Sequence, residues 1–279
     1  MRAHYHCRPV KSIHTLFLFI SISASLHAQN LFDAEHSRRF ADFLFNAGQY
    51  DAARGEYERV LFLNPKNDSA KFRIGDCFLQ TKNYSGGIER LRVMLHPSDS
   101  NLAFSYSRLL VFDRQLTTAW IFADPSNGLR NHDANAIRLS VRLVAHDVES
   151  ANFFYDHLPD TKTISTFESA MKVADNLKHR SPVVALGLST IIPGTGKIYT
   201  GNWKDGLISM MLVSFSAWQS FVGFDKKGIE SAYGWIYGGI GLAFYSGNLF
   251  GSWKAARVFN HNQNKKLEDA ALAALFNYR

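Results

Sequence analysis

Apolar residues cluster in two parts of the chain, and the sequence between them mixes apolar with charged residues. The first cluster is Thr15–Leu26, and the second begins at Pro182. Within the second, the stretches Gly206–Phe224 and Ser231–Trp253 contain no charged residue. Each is close in length to the stretch of about 20 apolar residues that a helix needs to cross the hydrocarbon core of a bilayer. The pattern therefore predicts a membrane domain over residues 182–253.

The N-terminal cluster has the features of a secretory signal peptide, predicted over residues 1–28. Basic residues precede it, no acidic residue occurs before Asp33, and the cluster is too short to span a bilayer comfortably. Cleavage is expected near Ala28, and an uncleaved anchor is the alternative. The signal predicts export to a bacterial cell envelope, with inner or outer membrane association left open.

The sequence of residues 182–253 is consistent with either three or two membrane crossings. If Val183–Tyr199 also crosses, three spans place the C terminus in the cytoplasm beside several basic residues, and the positive-inside rule favours this arrangement. If Val183–Ile192 is only re-entrant, two spans place Lys226 and Lys227 there instead. Residues 254–279 predict a C-terminal amphipathic helix that packs on the membrane domain or lies along the membrane surface. Its apolar stripe comprises Leu267, Ala271, Leu275 and Tyr278.

The middle of the chain aligns with itself at a regular spacing. Ala41 aligns with Gly75, and Tyr50 aligns with Tyr84. Small residues permit the two helices of a hairpin to approach closely, and the tyrosines open the second helices. These residues and their spacing resemble the tetratricopeptide repeat (TPR), a helix–turn–helix unit of about 34 residues. The resemblance implies stacked hairpins with a concave surface, formed by the first helices, that usually recognises proteins.

Two further, degenerate hairpins are predicted at Leu102–Ala123 and Asp133–Leu158, which extends the repeats over residues 29–160. A capping-box pattern, Ser165 with Glu168, predicts the start of a capping and linking helix within residues 161–181. Cys77 is expected to be a small core residue. The predicted fold class is all-α: a TPR-like helical-hairpin solenoid followed by a C-terminal transmembrane helical domain.

Composition and charge limit the possible functions. The 46% of hydrophobic residues excludes intrinsic disorder, and two cysteines exclude a disulfide scaffold. The net charge of +7 suggests nucleic acid, but residues 29–177 carry 17 basic and 19 acidic residues. The excess lies in the predicted signal and beside the apolar segments, where it sets topology and contacts anionic head groups. We therefore expect membrane lipids, and no nucleic acid, as partners.

A glycine-rich motif lies in the first apolar segment of the membrane domain. It is not a nucleotide-binding P-loop, because Ile191 replaces the first glycine and Ile198 replaces the hydroxyl residue. It resembles the P-G-x-G-x-x-Y-x-G motif of small bacterial membrane domains, which usually have glutamine at the position of Lys197. This resemblance covers about the last third of the chain and implies no firm activity. The membrane-turn residues are Pro193, Gly194, Gly196, Tyr199, Gly201 and Trp203, and a structural turn is favoured over a ligand site.

The sequence offers no catalytic machinery. The histidines lack the spacing of metal ligands, and no nucleophile motif is present, so we predict no enzyme, no cofactor and no metal. Glycines at helical spacing in the last apolar segment allow helices to approach closely, either within the chain or in a homodimer. These glycines are Gly234, Gly238, Gly247 and Gly251.

Two functions remain. The first is a non-enzymatic, membrane-anchored scaffold of the cell envelope, with periplasmic repeats that bind a protein or peptide. The alternative is a membrane assembly or transport component in which the C-terminal spans act and the repeats regulate. The candidate partner-binding residues lie on predicted first helices and are Arg38, Asp42, Phe45, Lys71, Asp76 and Phe78.

Overall fold

A computed structural model describes residues 33–96 and 99–278. Within these ranges every regular element is a helix, which confirms the predicted all-α class. The predicted signal peptide, residues 1–28, lies outside the described residues. The α-helices run as α1 Ala34–Asn46, α2 Tyr50–Leu63, α3 Asp68–Gln80, α4 Tyr84–Met94, α5 Ser100–Phe112, α6 Leu116–Phe122, α7 Asn131–Val144, α8 Val148–Asp156, α9 Thr161–Asp175, α10 Pro182–Ile191, α11 Thr195–Tyr199, α12 Trp203–Lys227 and α13 Ala232–Asn277.

Helices α1 to α8 form four consecutive pairs at nearly constant intervals along the chain. Their second helices begin at Tyr50, Tyr84, Leu116 and Val148. The turn inside each pair has a residue with positive φ at the same position: Gly48 at 75°, Lys82 at 55°, Arg114 at 62° and His146 at 62°. The third and fourth pairs coincide with the two degenerate hairpins expected from the sequence.

Most of these helices begin at a side chain that caps their free backbone N–H groups. Asp33, Asn67 and Asp99 each accept a hydrogen bond from the N–H three positions later, at 2.8, 3.0 and 3.2 Å. The predicted capping box is wrong. Helix α9 begins earlier, at Thr161, because Asp160 accepts from the Thr163 N–H at 2.7 Å. The Ser165 hydroxyl donates instead to the backbone of its own helix.

The described residues divide into two compact units, with the boundary between Leu95 and His96. The boundary lies inside the segment predicted as one repeat array, residues 29–160. The N-terminal unit contains α1 to α4 and buries Ala41, Tyr57, Ile74 and Leu91 completely. Cys77 is 1% exposed, as expected for a core residue.

The C-terminal unit contains α5 to α13, and α13 is its longest element. This helix of 46 residues joins the predicted last span and the predicted C-terminal helix without a break. Its far end packs against α5, α7 and α9 and buries Leu267, Ala271 and Leu275 completely. Both predicted positions of this end, on the membrane domain or along the membrane surface, are therefore wrong.

The first apolar segment of the predicted membrane domain is interrupted. Helix α10 has 10 residues, about 15 Å at 1.5 Å per residue, which is half the thickness of the hydrocarbon core. Residues 203–230 form the one helix, in the described part of the chain, that is long and apolar enough to cross a membrane, with mean hydropathy 1.5. The apolar half of α13 packs beside it but does not reach the same hydropathy.

Candidate functional site

The surface of α12 is apolar and largely uncovered by the rest of the protein. Only 11% of its most apolar stretch is buried. Phe215 and Trp218 on α12 are 57% and 64% exposed, and Trp235 and Leu242 on α13 are 64% and 66% exposed. A continuous apolar surface of this kind marks a contact with lipid or with another protein.

The predicted membrane turn connects α10 to α12 through very close backbone contacts. Gly194 has φ 92°, and a Cβ there would overlap the carbonyl oxygen of Gly206. A Cβ on Gly196 would overlap the carbonyl oxygen of Ala185 and would lie 2.6 Å from Ser189 Oγ. The Gly196 N–H donates to Ser189 Oγ at 2.9 Å, and that hydroxyl lies 2.7 Å from Ser252 Oγ on α13. The two glycines therefore hold the turn against α10 and α12.

Lys197 projects from this turn toward the contact between α12 and α13. Its Nζ donates to Ser209 Oγ on α12 at 2.8 Å. On α13, a Cβ at Gly251 would lie 3.0 Å from Lys197 Cε, so the glycine leaves room for the lysine side chain. The sequence motif located this turn but did not indicate a role for Lys197.

Three cations lie over aromatic rings near the same end of the α12–α13 pair. Arg180 lies 4.7 Å from the Tyr199 ring centroid, Arg257 lies 4.6 Å from that of Trp253, and Lys204 lies 5.8 Å from that of Trp203. We refer to one set of residues as the collar: Arg180, Lys197, Lys204, Lys254 and Arg257, with the rings of Tyr199, Trp203 and Trp253. Of the remaining turn residues, Pro193 is partly buried and Gly201 has φ 88°.

Three of the four candidate dimer glycines contact their own chain. A Cβ on Gly234 would lie 2.8 Å from the Phe224 ring, and one on Gly238 would lie 3.1 Å from Ser220 Oγ. Gly251 faces Lys197, whereas a Cβ on Gly247 would meet nothing within 4 Å. The contacts of the first three are therefore intramolecular, and the homodimer remains a prediction.

The candidate partner-binding residues form ion pairs and ring contacts within the N-terminal unit. Arg38 pairs with Asp42 at 2.8 Å, and Asp42 also accepts from the Tyr57 hydroxyl at 2.7 Å. Lys71 lies 3.3 Å from Asp68. Burial together with the Asp42 carboxylate raises the pKa of Tyr57. These contacts order the side chains of the first helices.

The other candidates lie beside arginines. The Arg73 guanidinium lies 4.6 Å from the Phe45 ring centroid, and its Nη1 lies 3.7 Å from the Asp76 carboxylate. Phe78 is only 3% exposed beneath Arg54, so it is a core residue and does not belong to an accessible face. Phe78 is therefore a poor candidate for partner contact.

In the C-terminal unit, the end of α13 lies on the first helices of the third and fourth pairs. Arg108 on α5 is 2% exposed and donates to the Phe276 carbonyl oxygen at 3.4 Å. The Tyr278 ring lies 5.5 Å from the Phe104 ring. The Tyr278 hydroxyl donates to Asp133 Oδ1 on α7 at 3.3 Å. Sequence reasoning missed this contact, although Arg108 is the one charged residue of α5.

A second polar contact fastens α13 to the turns of the same two pairs. Glu268 forms an ion pair with Arg114, and its Oε1 lies 3.0 Å from His146 Nε2. Arg114 and His146 are the positive-φ residues of their turns. The helix is therefore held both on the face of the first helices and at the turns that end them.

The described residues contain no group of three or more His, Cys, Asp or Glu side chains that could hold a metal ion. The geometry of the C-terminal unit instead combines an uncovered apolar helix pair with a helix bound on a face of paired helices. No family model, curated protein or solved structure matches this chain.

Proposed function

We propose that this protein is a non-enzymatic, membrane-anchored scaffold of the cell envelope whose TPR-like helix pairs bind a helical segment of a partner protein. Four pairs at nearly constant intervals, with the same turn conformation in each, support the TPR-like interpretation. The intervals are close to the length of a TPR unit, about 34 residues. Stacked pairs of this kind present their first helices as a recognition surface.

The α12–α13 pair is the proposed membrane anchor. Its uncovered apolar surface favours lipid over water, and α10 is too short to add a third crossing. Residues on both sides of the anchor also pack together, because the end of α13 contacts α9, α7 and α5. The N-terminal and C-terminal flanks of the anchor therefore lie on one side of the membrane, which requires an even number of crossings. We therefore propose two membrane crossings, instead of the three that the sequence favours.

The single observation that carries the binding function is the position of the α13 end. Residues 267–277 are the last turns of α13. The first helices α5 and α7 bind them, and the following Tyr278, through Arg108, Asp133 and an apolar surface.

The N-terminal unit offers the same face without such a helix bound in the described residues. At the same distance before the positive-φ residue of the turn, the first two pairs have Asp42 and Asp76 where the third has Arg108. This face carries the candidate residues, with Arg38 and Asp42 side chains 31% and 33% exposed. We infer that the partner helix binds there.

Photo-crosslinking in cells tests this function with the full chain. A photoreactive amino acid is placed at Arg38 or Lys71 on first helices, and at Asp51 or Glu89, exposed positions on second helices, as matched controls. We expect one partner to crosslink from positions 38 and 71 but not from 51 and 89. Arg38→Glu should then weaken binding of the purified partner to the purified full chain. Equal crosslinking from both faces, or unchanged affinity, would refute the proposed surface.

One observation favours the alternative function, in which the C-terminal spans act and the repeats regulate. Asn248 on α13 is 2% exposed, and both polar atoms of its side chain lack a hydrogen-bond partner. Buried polar groups within membrane helices are energetically costly and are retained mainly where they serve function. Replacement of Asn248 distinguishes the two functions.

A further inference from the structure

The collar concentrates positive charge at one end of the proposed anchor. None of its five cations forms an ion pair with a carboxylate of the described residues. The turn at the other end, residues 225–230, has two lysines balanced by Asp225 and Glu230. The positive-inside rule would place the collar in the cytoplasm, whereas the predicted signal exports the flanks of the anchor. Topology alone therefore does not explain these cations.

Lys197 is the collar cation whose side chain donates a hydrogen bond to another described side chain. The close contacts of Gly194 and Gly196 hold the turn, and Ser209 Oγ accepts one of the three hydrogen bonds that the ammonium group can donate. Lys197 is a partly exposed residue, and its ammonium group makes no second hydrogen bond to the described residues. A fixed ammonium group with two unused donors and no carboxylate partner is suited to an anion.

The depth of Lys197 identifies the anion. The Lys197 side chain contacts Ser209 on α12 and Gly251 on α13. Ser209 lies near the start of the charge-free segment Gly206–Phe224, and Gly251 lies near the end of the charge-free segment Ser231–Trp253. At 1.5 Å per residue, the ammonium group is within about 5 Å of the limits of both apolar segments. Tryptophan and tyrosine occur at this level of a bilayer, where hydrocarbon meets the lipid phosphates.

We propose that Lys197, held in place by Ser209 and accompanied by the other collar cations, binds the phosphate group of an anionic phospholipid. The inference rests on membrane insertion of the α12–α13 pair, which belongs to the proposed function. A lipid fits better than free phosphate, because Ile208 beside Ser209 is 55% exposed and offers an apolar surface to an acyl chain. The glycine-rich turn thereby acquires a role beyond reversal of the chain: it positions this ammonium group at the phosphate level.

Fluorescence quenching in nanodiscs measures the proposed preference when Trp218 and Trp235, which are exposed elsewhere on the anchor, are replaced by phenylalanine in every variant. Phosphatidylcholine with brominated acyl chains quenches the fluorescence of Trp203 and Trp253, which belong to the collar. Unbrominated phosphatidylglycerol that binds beside these residues displaces the brominated lipid and restores their fluorescence. We expect the wild-type chain to prefer phosphatidylglycerol and Lys197→Gln to reduce this preference roughly fivefold, since one cation near a membrane surface contributes about 1 kcal/mol. Lys197→Arg should restore it.

Lys226→Gln is the matched control, because it removes the same charge from an exposed lysine at the opposite end of the anchor. It should retain the wild-type preference. Equal losses in Lys197→Gln and Lys226→Gln, or no loss in either, would overturn the inference. Inorganic phosphate added to nanodiscs should not displace phosphatidylglycerol, and displacement at millimolar phosphate would assign the site to the free ion. Flotation with vesicles separates the two proposals: a chain that fails to float refutes the anchor, whereas one that floats without a lipid preference refutes only the phosphate site.

Discussion

Replacement of Gly196 by alanine tests whether close packing of the glycine-rich turn holds the C-terminal unit together. The added Cβ would overlap the Ala185 carbonyl oxygen on α10 and lie 2.6 Å from Ser189 Oγ. Carbon–oxygen contacts in proteins are about 3.3 Å, so α11 would have to move away from α10 by on the order of 1 Å. That movement also lengthens the 2.9 Å hydrogen bond from the Gly196 N–H to Ser189.

The expected destabilisation combines three effects. Overpacking costs about 1–3 kcal/mol, and the upper value applies because a backbone carbonyl cannot rotate away. Loss of the hydrogen bond adds about 1 kcal/mol, and the helix propensity of alanine returns up to about 1 kcal/mol. The net effect is about 3 kcal/mol. For a unit of this size we therefore expect the melting temperature to fall by roughly 6–12 °C.

Thermal unfolding of the full chain in nanodiscs, followed by circular dichroism, measures the effect. Gly187→Ala is the matched control, because Gly187 lies in α10 and a Cβ there would meet nothing within 4 Å. It should melt at or slightly above the wild-type temperature. If Gly196→Ala melts within about 2 °C of this control, a limit set by the same conversion, the packing argument is refuted.

Four further predictions follow from other parts of the structure. Cysteines placed at Arg39 and Asp269 should react with a membrane-impermeant reagent from the same side, and labelling from opposite sides would contradict two crossings. Tyr278→Phe removes the 3.3 Å hydrogen bond to a buried carboxylate and should accelerate amide hydrogen exchange at the end of α13, reflecting about 1–2 kcal/mol; unchanged exchange would show that this bond contributes nothing. Burial raises the pKa of the Cys77 thiol to about 12, so alkylation of this thiol at pH 8 should be slow until the N-terminal unit unfolds. The free energy of unfolding should fall as the pH rises above 9.0, the ordinary pKa of the thiol, because only the unfolded thiol then ionises. Asn248→Leu should raise the melting temperature, since an unpaired buried amide costs about 1–3 kcal/mol of folding free energy. Loss of cellular function in this more stable variant would support the alternative function, and retained cellular function would oppose it.

The helix pairs were predictable because their signals are local. Asp33 and Asn67 cap helices at sequence positions where such residues are favoured, and Gly48 marks a turn of left-handed conformation. The start of α9 was misplaced because two capping patterns lie close together. Asp160 follows a proline and precedes Thr163, so the earlier cap forms and the helix passes through Ser165 without interruption.

The contacts that involve α13 were less predictable because they join distant parts of the chain. Nothing local in the sequence pairs Asp133 with Tyr278, which lies 145 residues later. The continuity of the helix did leave a signal, since the chain from Ser252 to Tyr278 contains neither glycine nor proline. A helix is expected to continue where no glycine or proline interrupts it. This rule would have predicted a single helix through the last span and the C-terminal segment.

If the α12–α13 pair is the membrane anchor, as proposed, the unbroken α13 also connects the bilayer to the third and fourth helix pairs. From Lys254 to Asn277 it extends beyond its charge-free segment by about 36 Å at 1.5 Å per residue. Membrane helices change tilt when bilayer thickness changes, and a tilt of about 10° would move the far end by roughly 6 Å. Because Glu268 and Tyr278 fasten that end to α5, α7 and their turns, the helix pairs must follow. The thickness of the surrounding membrane would thereby set the position of these pairs.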